Sequence, residues 1–233
     1  MRILAAFAHP DDESFGPAGT LAQATHNGHI VSLLTMTHGE SGSLGISNIL
    51  SSAELAKCRS QELKKAARKL GIQLVQIHDL PDKRLQHIPE QHGIDIIRQE
   101  IQRFKPDIMI TYHDNTISGH PDHLVVTKWT LHAVMSTQNS PRLFLFGLDQ
   151  KQTSMVTFRK LIPITDGEVT HRINVENFIN DKIVAIRCHK SQIDAWHEFE
   201  KMKTDYKTFT KCEVFVQKWP KPENNIIKHD LFE

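Results

Sequence analysis

The chain has 233 residues, which is enough for one sizeable α/β domain and short for two independent ones. Its 28 basic and 27 acidic residues leave a formal net charge of +1, so no long-range field favours nucleic acid or an anionic lipid surface as a partner. The three cysteines lie outside C-x-x-C spacing and no apolar run is long enough for a signal sequence or a membrane span, so we expect a cytoplasmic protein with neither a disulfide framework nor membrane insertion.

The first 140 residues alternate between short apolar segments and segments with helical spacing. Pro10 ends the first apolar segment, and Asn27-Gly28 and Gly71 close two of the helical ones. The pattern predicts strands at residues 3–8, 30–37, 73–77 and 108–111, and helices at residues 17–26, 52–70, 94–104 and 122–135. This alternation predicts an α/β fold with a mostly parallel sheet and helices on both faces.

The regular alternation of predicted strands and helices ends after Pro141. Here the sequence predicts strands at residues 143–148, 154–162 and 212–217, and helices at residues 175–187 and 192–202. Because no linker or low-complexity tract separates this part, we expect one domain over residues 1–233, with a core at 1–140 and an α/β extension and pocket wall at 141–233. The tail from Pro220 onward is expected to be a surface segment or an intersubunit arm, which leaves a homo-oligomer open.

Two polar clusters follow two of the predicted strands. The first is His9-Pro10-Asp11-Asp12-Glu13 and the second is Gly119-His120-Pro121-Asp122-His123. Ligands of doubly wound sheets bind outside the carboxyl ends of the strands, so we expect these two loops to converge. Imidazole nitrogens and carboxylates are suitable ligands for Zn²⁺, and a catalytic zinc site needs three protein ligands and an open position.

We expect His9, Asp12 and His123 to be the metal ligands, and Asp11 to be a general base beside the open position. His120 would face the reaction centre as an acid or oxyanion donor, with Asp122 holding its other nitrogen. An isolated aspartate here would more often be a helix N-cap, and an isolated histidine a loop residue. Capping does not explain two His-Pro-Asp clusters after two strands, so the metal interpretation is preferred.

At these residues the chain resembles the PIG-L/LmbE-like family of zinc-dependent N-deacetylases. The strongest matches are AHPDDE at residues 8–13, GPAGTLA at 16–22 and SGHPDH at 118–123, and weaker ones are THGE at 37–40, Arg59-x-x-Glu62, HKSQ at 189–192 and Glu213-x-Phe215. The resemblance implies a Rossmann-like fold, a Zn²⁺ cofactor and the roles given above. It also implies a small N-acetylglucosamine-type substrate. Ala18 stands where many members have glycine, and residues 114–118 match no subgroup.

Weaker candidates surround these clusters. Arg59 could bind sugar hydroxyls or a substrate anion, although an arginine on a helix is more often a solvated charge or part of a salt bridge. Glu40, His189 and Gln192 could line the pocket. We expect the group attached to the sugar to lie against residues 114–118 and the part after Pro141.

Three other functions were weighed against the deacetylase. A nucleotide-binding protein would need a glycine-rich phosphate loop after the first strand, where this chain has three acidic residues. A non-catalytic metal- or sugar-binding relative would not need Asp11 or His120, and both are present. A zinc amidase acting on another N-acyl amine stays open as the alternative.

Overall fold

The molecule is built on one seven-stranded sheet. A computed structural model describes residues 1–42, 51–114, 117–200, 206–224 and 226–233. The strands are β1 (Arg2–Phe7), β2 (Ile30–Thr35), β3 (Leu74–Ile77), β4 (Ile108–Tyr112), β5 (Arg142–Gly147), β6 (His171–Asn174) and β7 (Cys212–Trp219). The helices are α1 (Asp12–Phe15), α2 (Ala18–His26), α3 (Ser52–Lys69), α4 (Glu90–Phe104), α5 (Pro121–Met135), α6 (Gln150–Met155), α7 (Ile179–Cys188), α8 (Ile193–Glu200) and α9 (Tyr206–Thr210).

The strand order is β3-β2-β1-β4-β5-β7-β6. Strands β1 to β5 are parallel, whereas β7 is antiparallel to both β5 and β6. This confirms the predicted α/β class with a mostly parallel sheet. The chain winds outward from β1 to β3 and then returns to place β4 on the other side of β1, so the order reverses between β1 and β4. That reversal opens a crevice at the carboxyl ends of these two strands.

Strand β1 is buried on both faces. Its odd-numbered residues from Ile3 to Phe7 join the core cluster shared with α2, α3 and α7. Its even-numbered residues, with Ala8 following, join the cluster shared with α4 and α5. Side chains alternate between the two faces of a strand, and both faces here are covered by helices, so the strand is a continuous apolar run.

The predicted strand at residues 154–162 is wrong. Helix α6 occupies Gln150–Met155, and the chain that follows is irregular. The helix forms because Asp149 and Gln152 make a capping box, in which each side chain accepts a hydrogen bond from the other's backbone N–H at 2.8 and 3.2 Å. Strand β6 and helix α9 were not predicted, and Met202, placed in a predicted helix, lies outside the described residues.

The C-terminal tail packs back on its own chain. Lys228 N–H donates to the Thr170 carbonyl and Arg172 N–H donates to the Lys228 carbonyl, both at 2.9 Å. Leu231 is fully buried. The tail therefore covers the outer edge of β6 in the same chain and does not extend away as an arm. Every helix within the described residues is too short or too polar to cross a lipid bilayer.

His171 on β6 should make the fold sensitive to acid. Its ring is buried against the edge of Phe144, at 4.9 Å between centroids. Burial and then the charges of Lys228 and Arg142 lower the pKa of His171 from 6.5 to about 4. Since the unfolded chain takes up this proton first, its contribution to stability is complete above pH 6.5 and is lost as the pH falls toward 4.

We expect this group to remove about 2 kcal/mol from the free energy of unfolding between about pH 7.5 and about pH 5. Urea unfolding of wild type and His171→Gln at both pH values checks it. The variant should lose less stability on acidification than wild type, whatever its stability at neutral pH. Equal losses in the two proteins would contradict the assignment to His171.

Candidate metal centre

The two polar clusters meet in the crevice between β1 and β4. His9 is the second residue after β1, and Asp12 begins helix α1. The turn between them is tight because Asp11 has a left-handed backbone, with φ of 104°. The second cluster spans the start of α5, whose N-cap is His120 and whose first three residues are Pro121, Asp122 and His123.

Potential metal-ligand atoms of three residues converge here. His9 Nδ1 lies 3.3 Å from His123 Nε2, and His123 Nε2 lies 3.1 Å from Asp12 Oδ1. His9 Nδ1 is 3.6 Å from the other oxygen of Asp12. Tetrahedral ligands at zinc distances stand about 3.3 Å apart, so these separations suit a metal ion. A ring nitrogen of His120 lies within 4.8 Å of potential ligand atoms of His9 and His123, which makes a second, looser set.

The other ring nitrogen of His9 faces two carboxylates. His9 Nε2 lies 3.0 Å from Asp82 Oδ1 and 3.3 Å from Asp122 Oδ2. The Asp122 carboxylate also accepts backbone N–H groups from Lys83 at 2.7 Å and Leu85 at 3.2 Å. Metal-binding histidines commonly donate their second N–H to such a carboxylate, which fixes the ring and its tautomer.

This placement corrects the prediction that Asp122 holds His120. The carboxylate of Asp122 contacts His9, because the backbone N–H groups after Asp82 draw it toward that side. The backbone N–H of Asp122 donates to His120 Nδ1 at 3.2 Å instead. Because Nδ1 accepts this bond, a neutral His120 has its proton on Nε2.

Asp82 was missed by the sequence analysis. Its carboxylate is fixed by the Ser41 N–H at 2.8 Å, and its own N–H donates to Glu40 Oε1, also at 2.8 Å. The only sequence signal was its place in the Pro81-Asp82 loop after β3, at the same edge of the sheet as the two clusters. Glu40 therefore supports Asp82 from the THGE loop.

The site has an excess of negative charge. Burial alone would lower the pKa of His9. Hydrogen bonds to the carboxylates of Asp12, Asp122 and Asp82 instead raise that pKa well above its ordinary value. An imidazole driven toward its charged form indicates uncompensated carboxylate charge, which a bound cation would neutralise.

Arg59 reaches the site from α3 but contacts protein groups there. Its guanidinium donates to the carbonyls of Gly39 and Pro10, and to Asp11 Oδ2 at 3.0 Å. A Cβ on Gly39 would lie 2.4 Å from this guanidinium, which explains the glycine of the THGE motif. With 4 % of its surface exposed, Arg59 is placed to hold Asp11, and the arrangement does not support the predicted contact with sugar hydroxyls.

Asp11 is part of a buried network. Burial raises the pKa of Asp11 to about 6 despite the Arg59 guanidinium beside it. The Asp11 N–H donates to Glu13 Oε2 at 3.1 Å, and the other oxygen of Glu13 lies 2.8 Å from His189 Nε2. Glu13 and His189 are almost fully buried. They therefore fix the left-handed turn on which Asp11 stands.

His123 is oriented by stacking. Its ring lies on the ring of Tyr112, with centroids 4.3 Å apart and planes within 14°. The Tyr112 hydroxyl donates to the carbonyl of Asp12 at 3.1 Å. Among the described residues no hydrogen-bond partner is found for His123 Nδ1. Tyr112 thus links both clusters, although no motif in the sequence marked it as a site residue.

A family profile described as PIG-L: GlcNAc-PI de-N-acetylase matches residues 4–134, which include both clusters of this centre. The chain belongs to the PIG-L family. This confirms the resemblance found in the sequence motifs. A 1D-myo-inositol 2-acetamido-2-deoxy-alpha-D-glucopyranoside deacetylase from Actinosynnema mirum is 25% identical, over 84% of this chain and 82% of the relative.

Solved structures share the fold of this family member. The N,N'-diacetylchitobiose deacetylase from Pyrococcus horikoshii aligns with a TM-score of 0.70 and 21% identity, over 92% of this chain and 82% of that one. The 4-carboxy-2-hydroxymuconate hydratase from Pseudomonas putida aligns with a TM-score of 0.72 and 15% identity, over 97% and 99%. Since one fold supports both reactions, the function has to be argued from the site.

Proposed function

We propose that the protein is a zinc-dependent N-deacetylase that hydrolyses the acetamide of a small N-acetylglucosamine-type compound and releases acetate and a free amine. The observation that carries this proposal is the convergence of His9, Asp12 and His123 at 3.1–3.6 Å beside the Asp11 carboxylate. The name of the relative from Actinosynnema mirum supports the substrate class.

The residues present fit a zinc ion. Two imidazoles and one carboxylate form a ligand set typical of catalytic zinc. The carboxylates of Asp82 and Asp122 contact the other ring nitrogen of His9 and orient this ligand. Zinc bound by this set would supply Lewis acidity, which polarises an amide carbonyl and lowers the pKa of water to about 7.

Asp11 is placed to take a proton from the attacking water. Its carboxylate is near enough to Asp12 and His9 for their charges to act on it, and it is held by Arg59 and is not one of the three proposed ligands, so it is available as a base. Its pKa of about 6 leaves it ionised at neutral pH and basic enough to accept a proton.

His120 is placed to donate. Burial and the neighbouring charges of His9 and His123 lower the pKa of His120, so its resting form is neutral with the proton on Nε2. That N–H can stabilise the developing oxyanion or pass its proton to the leaving amine. Asp122 contributes indirectly, through His9.

Asp82 gives the metal proposal a test that leaves the ligands intact. We expect Asp82→Asn to weaken zinc binding by about 10- to 100-fold, because it removes the charge that orients His9. Chelator competition measures the affinity. Asp79→Asn is the matched control, since this exposed aspartate on the same loop contacts His38 and should leave zinc affinity unchanged. Equal affinity in Asp82→Asn and wild type would remove Asp82 from the site.

The substrate class is tested by amine release from the zinc-loaded protein. N-acetylglucosamine and its methyl glycoside are compared with N-acetyl amines that have no sugar ring. The proposal predicts release from the sugars. Release from the simple amines alone would establish the alternative amidase function.

A further inference from the structure

An apolar cavity adjoins the metal centre on the side of β4 and β5. Its volume is about 160 Å³, and Asp12 and His123 form part of its wall. It is therefore open to the place where the amide is cleaved. Its lining does not include Asp11, Arg59 or Asp82, so these charged groups of the metal centre lie outside the cavity.

The apolar lining comes mainly from residues after Pro141. Leu148, Leu161, Ala195, Tyr206 and Phe209 provide it, together with Phe15 and Ile117. The segment after α6, where the predicted strand is absent, thus supplies Leu161 to the wall. Residues 115–116 lie outside the described residues, and Ile117 and Ser118 line the cavity.

Two of the polar side chains in the wall, Tyr112 and Arg159, have partners in the protein. The Tyr112 hydroxyl donates to Asp12, and the Arg159 guanidinium pairs with Glu198 at 2.7 Å. A sugar ring in this cavity would bury several hydroxyls against apolar side chains, and each unsatisfied hydroxyl would weaken binding. The lining therefore suits an apolar group better than a sugar ring.

We propose that this cavity binds an apolar substituent of about six carbons, since a dry cavity of about 150 Å³ holds a benzene ring. The substituent is attached to the substrate next to the amide that is cleaved, as the aglycone of the sugar or as the acyl chain. This inference rests on the proposed function for the cleavage of an N-acylated amino sugar, and an acyl chain in the cavity would lengthen the acetamide proposed above to a hexanoyl-sized amide. It makes the substrate an amphiphilic conjugate of an amino sugar.

The experiment uses two pairs of probes that the enzyme cannot turn over. Hexyl and methyl β-D-glucopyranoside test the aglycone side, and hexanoate and acetate test the acyl side. Calorimetric titration of the zinc-loaded protein gives their dissociation constants. Burying a methylene strengthens binding about fourfold, so the longer member of one pair should bind at least about 10-fold more tightly. The pair that shows this preference identifies the occupant.

Two cavity-filling variants and a surface control make the result specific. Ala195→Phe on α8 fills the cavity, and Leu161→Trp fills it from the opposite segment in case the first variant folds poorly. Either should reduce the preference to about twofold or less. Val184→Phe adds the same bulk on the exposed face of α7, and it should keep the preference.

Equal affinity within both pairs, or a preference that survives both filling variants, would overturn the cavity assignment. Amine release is measured in parallel with the hexyl and methyl glycosides of N-acetylglucosamine, and with N-hexanoyl- and N-acetylglucosamine. Turnover without any chain-length preference would leave the deacetylase proposal standing and refute the cavity. A binding preference without turnover of any amide would support the cavity assignment and refute the deacetylase proposal.

Discussion

Replacing His123 by alanine is expected to remove the zinc ion and to lower kcat/KM by about 10³-fold or more, since the metal contributes several kcal/mol of transition-state stabilisation. The wild-type protein should bind one zinc per chain through His9, Asp12 and His123. Two remaining ligands cannot close a three-ligand site, and the carboxylates near His9 would be left without their cation. Elemental analysis of the purified variant measures the loss.

His132→Ala is the matched control for this substitution. His132 is on the same helix α5, is half-exposed and pairs with Glu90 at 3.0 Å, so its removal should leave zinc content and activity unchanged. Thermal unfolding shows whether both variants keep the fold. Full zinc retention in a folded His123→Ala protein would take this residue out of the ligand set and favour the looser set with His120.

Asp11→Asn should separate metal binding from catalysis. We expect zinc to be retained and kcat to fall by about 10²-fold or more, because the amide side chain cannot accept the proton. The geometry should persist, since asparagine can keep the hydrogen bond from Arg59 and the turn is held through its backbone by Glu13. Single-turnover rates and zinc content of the variant check both expectations. Wild-type turnover would exclude Asp11 as the base.

The same residue should set the acidic limb of the pH profile. The base works in its ionised form, so kcat/KM should fall as the pH drops below about 6, where Asp11 becomes protonated. The positive charge of a bound metal moves this limb to lower pH. The limb should be absent from Asp11→Asn and present in Asp166→Asn, which changes an exposed aspartate beside Arg172. A limb that persists in Asp11→Asn belongs to another group.

The parallel half of the sheet could be predicted because its periodicity is strong. Residues such as Ile3 to Ala8 form an apolar run that both faces of a buried strand require, and two of the intervening helices are closed by glycines, Gly28 and Gly71. The part after Pro141 was harder. Strand β6 has only four residues, and an apolar-looking stretch at 154–162 outweighed the Asp149–Gln152 capping box in the prediction. Long-range pairing with β7 stabilises β6, and that pairing is not visible locally.

The candidate ligands could be predicted because His9, Asp12 and His123 lie in two motifs at strand ends. Their supporting groups could not. Asp82 reaches His9 from a third loop, and Asp122 turns toward that loop's backbone N–H groups, so both placements depend on a contact between α5 and the loop after β3. The charge of Arg59 suggested a role in substrate binding, but in the structure its guanidinium pairs with Asp11.

The proposed zinc-dependent hydrolysis is tested by acetate release from the methyl glycoside of N-acetylglucosamine, using protein that has been stripped of metal and then reloaded with zinc. We expect equal amounts of acetate and free amine from the reloaded protein, and none from the stripped protein. A folded protein with one zinc per chain that releases no acetate from this glycoside or from N-acetylglucosamine would contradict the claim.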